Sequence, residues 1–421
     1  MNRLFRLAFP LAALAALAFT ACTRGAAPEP APDRSASLPP ADALPASAAP
    51  SAQAPAGTTP ETPASAAPAS STPDITPQGS SAAAVAVPGT PSAAGKQAGR
   101  RVALETKVMG TQLTLATYTT AEMDEHALRP PLEKAVKELR RLESLMTTWR
   151  DDSEISQVNQ RAGKSAVEVS PESLEVIQKS LWISRLSRGV FDITFEAMHG
   201  LWKFDEDLDD NIPSKPDVDR ARKLIDYRQI QVDPAKRTVK LGKPGMRMNL
   251  GGIAKGYAVD AAARVLRAEG LKAFFIQAGG DLYVSGKKPD GSRFRVGVRD
   301  PRGKNANDFF AMIEVENHAF STAGDYERSF LKDGKRYHHI IDPRTGFPAT
   351  ASRSVTIWAA DALTADAIDD AVFILGPEEG LKLVESIDDC GAVIVDADNK
   401  VWISRRLEDK VHKLREPTPG L

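Results

Sequence analysis

Asp366, Asp369 and Asp370 recur at three- and four-residue steps, so on a helix they share one face and set like charges side by side. A hard divalent cation relieves that repulsion, and magnesium typically takes one or two carboxylates plus substrate phosphate and water. Acids near a helix start are also favoured by the dipole alone, without a metal. A second run, Asn249-Leu250-Gly251-Gly252-Ile253-Ala254-Lys255-Gly256, turns on paired glycines into an amphipathic stretch. Backbone N–H groups at such a helix start favour an anion, and Lys255 adds a point charge. The run lacks both the G-x-G-x-x-G spacing and the terminal Gly-Lys-Ser/Thr of a phosphate loop. It reads equally as a strand, a glycine turn and a helix packed through Ala254, Tyr257, Ala258, Ala261, Ala262, Val265 and Leu266. A third run, His338-His339-Ile340-Ile341-Asp342-Pro343-Arg344-Thr345-Gly346, places two histidines beside a turn. Only one of two adjacent strand residues can face a site, and a histidine can exchange protons near neutral pH or simply be a half-buried polar residue. Asp342, Arg344 and Thr345 can hold the turn, and Arg344 can also touch phosphate. Together the glycine-lysine and histidine runs point to a phosphorylated ligand.

The elements that must position these groups are readable from periodicity. Residues 102–108 and 112–118 form two β-rich segments joined at Met109-Gly110-Thr111. Leu132, Val136, Leu139, Leu142 and Leu145 predict a helix opening at Pro130-Pro131, and Ser170-Pro171-Glu172 predicts the start of another. The acidic stretch 205–219, with two prolines, reads as an exposed loop. Short apolar bursts at 273–277, 282–285, 294–298, 310–315, 337–341, 354–359, 393–395 and 401–404 predict strands, with helices at 362–375 and 378–387. Strands and helices that do not alternate strictly predict an α+β fold, a mixed and mostly antiparallel sheet with flanking helices, not a doubly wound nucleotide fold.

Composition narrows the class. The 421-residue chain has 54 basic and 55 acidic residues and no basic block, which argues against a nucleic-acid partner. Metal-ligating Cys or His clusters are absent from the sequence, so a closed structural zinc site is not expected. Asn2-Arg3 and Arg6 precede an apolar run from Leu7 to Phe19 that closes on Thr20-Ala21-Cys22. This has the build of a secretory signal, residues 1–21, with Cys22 at a lipobox-like position for lipidation. Residues 22–100 are rich in Ala, Pro, Ser and Thr and read as a disordered tether with a span of roughly 50 Å. The globular domain is expected over 101–421, lipid-anchored to a membrane surface outside the cytoplasm, on the periplasmic side, with inner and outer membrane both open. Cys390 is the only other cysteine, so lipidation of Cys22 leaves none for an internal disulfide.

Met109-Gly110-Thr111, Trp149 before Asp152-Ser153-Glu154-Ile155-Ser156, and Gly189-Val190-Phe191-Asp192 come first. The glycine-lysine run, Gly279-Gly280-Asp281, Ser321-Thr322-Ala323-Gly324-Asp325, the histidine run and Ala365-Asp366-Ala367-Ile368-Asp369-Asp370-Ala371 follow. In this order they resemble the FAD:protein FMN transferases, the ApbE family of bacterial lipoproteins. The resemblance implies transfer of the FMN half of FAD, as substrate, to a Thr or Ser hydroxyl of an acceptor protein, with Mg²⁺ and release of AMP. It implies a metal site of Asp366, Asp369, Asp370 and the Gly252 carbonyl. An FAD-binding set of Met109, Trp149, Val190, Phe191, Asp192, Asn249, Lys255 and Ile340 is implied likewise, with His339 and Asp366 as catalytic groups. The acceptor classes implied by the same resemblance are flavin-carrying subunits of membrane redox complexes and extracytoplasmic reductases. Two positions depart from the family pattern: Asn249 stands where Asp is usual, and Asp370 where Thr or Ser is usual. An FAD pyrophosphatase, or a lipoprotein that only binds flavin or metal, would use much of the same set.

Overall fold

The computed structural model describes residues 84–87, 99–204 and 208–420. Its organising element is an eight-stranded sheet in which every neighbouring pair is antiparallel. The strands are β1 (Arg101–Val108), β2 (Thr111–Tyr118), β3 (Phe274–Ala278) and β4 (Asp281–Ser285). After β5 (Phe294–Arg299) and β6 (Phe309–Val315) come β7 (His318–Gly324), β8 (Ser352–Ala359), β9 (Cys390–Asp396) and β10 (Val401–Ile403). Chain order is also spatial order, with β4 beside β7, because β5 and β6 leave for a second, four-stranded sheet. That sheet is completed by β11 (Val411–Lys413) and the strand Ala84–Val87, which pairs with β5. The sequence reading assigns those four residues to the tether; alternating valines suit them to extend a sheet edge. Residues 1–21, Cys22 and the rest of the tether up to 98 lie outside the described residues.

Side chains alternate across the central sheet. Phe275, Leu282, Val284, Phe320 and Trp358 meet β5 and β6 in one core, while Phe274, Ile276, Tyr283, Ala319 and Val355 belong to another, shared with the helices. The helices are α1 (Glu125–Met146), α2 (Glu154–Gln160), α3 (Pro171–Leu186), α4 (Lys215–Arg222), α5 (Ala254–Ala268) and α6 (Ala362–Glu385). Asp124, Ser153, Ser170, Ser214 and Asp361 cap five of them, each accepting from the amide three residues on. α5 packs between α1 and α6, and α6 lies along β7, β8 and β9.

Four local expectations need correction. α1 starts at its Asp124 cap, so Pro130 and Pro131 fall in its second turn and not at its opening. Ser214 and Pro216 begin α4 inside the stretch read as a loop, which is the ordinary use of a cap and a first-turn proline. The strand expected over 337–341 stops at His338 and a separate short strand takes up Ile341–Asp342, leaving His339 and Ile340 between them. β7 was not anticipated, because its small residues carry little apolar signal. Of the described residues, no helix is long and apolar enough to cross a membrane.

Candidate active site

Pairing of β4 with β7 sets Leu282 opposite Phe320, so the preceding Asp281 and the following Ser321 are neighbours. Leu282 and Phe320 face the inter-sheet core, and alternation turns Asp281 and Ser321 the other way, toward α6. Ser321 Oγ lies 2.7 Å from Asp281 Oδ1 and 2.6 Å from Asp369 Oδ2. A hydroxyl has one proton, so it can donate to only one of these carboxylates at a time. One turn earlier on α6, Asp366 Oδ2 accepts the Gly256 amide at 2.8 Å and Oδ1 accepts Lys255 Nζ at 3.1 Å. Lys255 Nζ is also 3.0 Å from Asp281 Oδ2. This is an ion pair without hydrogen-bond alignment, and Asp281 Oδ2 is buried with no hydrogen bond. Gly252 lies against Asp370: a Cβ there would stand 3.0 Å from Asp370 Oδ2.

The site therefore gathers four carboxylates around one ammonium, and Asp281, Asp366 and Asp369 are buried. Burial, then the Asp281 charge, pushes the Asp366 carboxyl up to about 7 against the opposing pull of Lys255. Burial and the charges of Asp370 and Asp366 push Asp369 well up, and burial raises Asp370 to about 6. For Lys255 burial opposes the charge, but Asp281, Asp366 and Asp369 outweigh it and hold the ammonium above the ordinary lysine range. Among the described residues no three His, Cys, Asp or Glu side chains converge into a ready metal cage. The surplus of carboxylates, the single Ser321 proton and the unbonded Asp281 oxygen fit a cation that takes its other ligands from backbone, phosphate and water.

The anion at the start of α5 is the protein's own. The Gly256 amide is engaged by Asp366 and the Ala254 amide by Leu250 O, so these two donors of the helix start are committed within the protein, one of them to α6. Gly256 is required for the approach: a Cβ would stand 2.7 Å from Asp366 Cβ and collide with the Ala362 backbone. Gly256→Ala should lower stability by about 3 kcal/mol, measured by urea unfolding, through overpacking of α5 on α6. Asp260, one turn further on, accepts the Ala362 and Leu363 amides at 2.9 Å each and so anchors the start of α6.

The two histidines divide at the strand end, His338 closing its strand and His339 lying just beyond it. His338 is buried, its Nε2 donates to Ala349 O at 2.9 Å, and its Nδ1 accepts the Ile340 amide. That pattern makes it a neutral structural residue against Phe373. His339 Nδ1 is buried and has no hydrogen-bond partner. Burial, then the neighbouring charges of Arg328 and Lys255, push the His339 imidazole down to about 3, so it is neutral at pH 7.

The ApbE family model matches residues 109–394. The chain belongs to the ApbE family. It is 31% identical over 340 residues to a Treponema pallidum protein named FAD:protein FMN transferase, covering 77% of this chain and 92% of that one. The protein of the same name from Escherichia coli K12 is 30% identical over 298 residues, covering 70% and 84%. Among solved structures, the ApbE protein of Thermotoga maritima superposes with a TM-score of 0.67 at 30% identity, over 74% of this chain and 99% of its own. The Vibrio cholerae flavin transferase ApbE gives 0.65 at 25%, over 74% and 99%.

In this ApbE-family chain the residues proposed from sequence for metal, Gly252, Asp366, Asp369 and Asp370, are brought together with Lys255, and Phe191 stands beside Gly252. Met109 sits in a left-handed turn with Gly110, its amide held by Glu143 at 2.8 Å. Trp149 is 78% exposed on a loop and packs against no apolar surface of the core. Asp192 is engaged locally, accepting from the Thr194 amide and hydroxyl and the Tyr227 amide, so its carboxylate is a cap. Val190 and Ile340 are buried. Arg344 forks onto Asp342 and holds the turn. Sequence reasoning passed over Asp281, Ser321 and Asp260 as site residues. Their only signal is that Asp281 ends and Ser321 opens one of the quoted runs, and that Asp260 lies one turn beyond Gly256 on the same helix.

Proposed function

We propose that this protein is an FAD:protein FMN transferase, moving the FMN half of FAD to a Thr or Ser hydroxyl of an acceptor and releasing AMP. The observation that carries the reading is the gathering of Asp281, Asp366, Asp369 and Asp370 around Lys255 and beside Gly252 in an ApbE-family fold, an acidic cluster whose surplus negative charge suits a cation bound to phosphate. His339 takes the acceptor proton as the hydroxyl oxygen bonds to the FMN phosphorus and the bond to the AMP phosphate breaks. Lys255 steadies the charge that builds up on phosphate oxygens. Asp366, Asp369, Asp370 and the Gly252 carbonyl would hold Mg²⁺, which supplies neutralisation of the pyrophosphate and of the departing AMP. Exposed Trp149, Met109, Phe191, Val190, Asp192, Asn249 and Ile340 are the proposed FAD contacts. Anchoring through Cys22 on the periplasmic side would let the tether carry this domain to flavin-carrying subunits of membrane redox complexes or extracytoplasmic reductases.

The test mixes the protein with FAD, Mg²⁺ and an acceptor domain and reads acceptor mass together with AMP. A gain of one FMN unit with matching AMP is expected; AMP and free FMN with unmodified acceptor would mean hydrolysis instead. His339→Ala should lower transfer by about 10²- to 10⁴-fold with FAD affinity nearly unchanged, the size of effect of losing a general base. Full flavinylation by that variant removes His339 from the chemistry.

Cation binding should also depend on pH with a defined sign. The folded carboxyls of Asp366 and Asp370 titrate near 7 and 6, above their unfolded range. Proton uptake therefore stabilises the metal-free fold at acid pH, and that contribution is lost as pH rises through these values. Mg²⁺ competes with those protons, so millimolar Mg²⁺ should raise Tm by several degrees at about pH 8 and hardly at all at about pH 5. An equal shift at both would contradict the assignment.

A further inference from the structure

Asn249 joins three segments, and every polar atom of its carboxamide is in use. Its Oδ1 accepts the Gly251 amide at 2.7 Å, and its Nδ2 donates to Thr148 Oγ1 at 3.3 Å and to Glu196 Oε2 at 3.0 Å. Glu196 is 6% exposed and sits on the 3₁₀ turn Ile193–Met198, whose first carbonyl accepts the Asn249 amide at 2.9 Å. Its other oxygen faces His199 Nδ1 at 3.0 Å and Arg247 at 3.6 Å, so the carboxylate is held from both sides. A carboxylate only accepts, which forces the Asn249 nitrogen toward Glu196 and its oxygen toward Gly251.

We infer that Glu196 is a positioning residue of the transfer site: it orients the Asn249 carboxamide, which pins the Gly251-Gly252 turn that carries the proposed Mg²⁺ carbonyl. From the other side the turn is held by Lys255, which donates to Gly251 O at 3.3 Å. An acid at 249 would set two carboxylates face to face, so the negative charge belongs at 196 and the amide at 249. The same pattern can be rebuilt in reverse. With Gln at 196 and Asp at 249, the amide donates the other way, the Asp still accepts from Gly251, and the Thr148 hydroxyl turns its proton inward.

The inference rests on the transferase reading for its link to catalysis, and four proteins separate the two: wild type, N249D, E196Q and E196Q/N249D. Flavinylation rates at saturating FAD and Mg²⁺, and Mg²⁺-dependent FAD affinity by flavin fluorescence, are measured well below the lowest Tm. N249D should lose about 10- to 100-fold in both, the scale set by a hydrogen bond replaced with like charges. E196Q alone should lose less than about tenfold because its amide oxygen still accepts, and the double variant should recover to within about threefold of wild type. A pair that matters only for folding would move Tm and leave both readouts unchanged in folded protein. N249D working like wild type, or a double variant no better than N249D, overturns the inference. If wild type transfers no FMN, the transferase reading fails by itself, and the FAD-affinity pattern across the four still decides the pair.

Discussion

Asp366→Asn should lower FMN transfer by at least about a thousandfold while leaving the protein folded, because it removes charge at the point where phosphate must be neutralised. The carboxamide oxygen can still accept the Gly256 amide, so the link between α5 and α6 survives. In the metal-free protein the loss of one negative charge from a cluster of four relieves repulsion, and thermal stability should hold or rise slightly. The Mg²⁺-dependent gain in Tm should disappear. Measuring transfer and melting with and without Mg²⁺ on one preparation checks all three outcomes. A variant that keeps its Mg²⁺ response would take Asp366 out of the metal site.

Lys255→Met should damage folding and activity together. Among the described residues its ammonium is the one cation within ion-pair distance of Asp281 and Asp366, both almost wholly buried. Removing one partner of a buried charge group and leaving the others uncompensated costs about 3–5 kcal/mol. The deficit has a sign in pH: it should grow as the carboxylates deprotonate above about pH 6 and shrink toward about pH 5, where protons substitute for the ammonium. Mg²⁺ should restore part of the stability at alkaline pH but not the transfer rate, since Lys255 is also needed at the phosphate. Urea unfolding at two pH values, with and without Mg²⁺, gives the comparison. A pH-independent loss would mean that Lys255 contributes packing and not charge.

Much of the site was legible because its signals are local. Asp366, Asp369 and Asp370 share a face by helical spacing alone, and Ser170-Pro171 starts α3 with the cap and proline that mark such starts. The errors arose where two local rules competed. Pro130 and Pro131 look like a helix opening unless Asp124 is recognised as an earlier cap, and the acids around Ser214 and Pro216 hid a helix start. β7 escaped because Ser321, Thr322, Ala323 and Gly324 have the composition of a loop, and their strand state comes from pairing with β8.

By itself the sequence determined which residues could do chemistry, the periodic faces that carry them and the antiparallel α+β character of the domain. Only the tertiary structure decided which groups meet. Asp281 and Ser321 are 40 residues apart, Ser321 and Asp369 are 48, and Gly256 and Asp366 are 110, each pair brought within hydrogen-bond distance. No short-range propensity specifies such encounters. They follow from strand order and from the close approach of α5 to α6 that Gly256 permits. The same applies to charge: whether Lys255 is a mobile cation or the pinned counter-ion of buried acids depends on burial and neighbours, which a linear pattern does not contain.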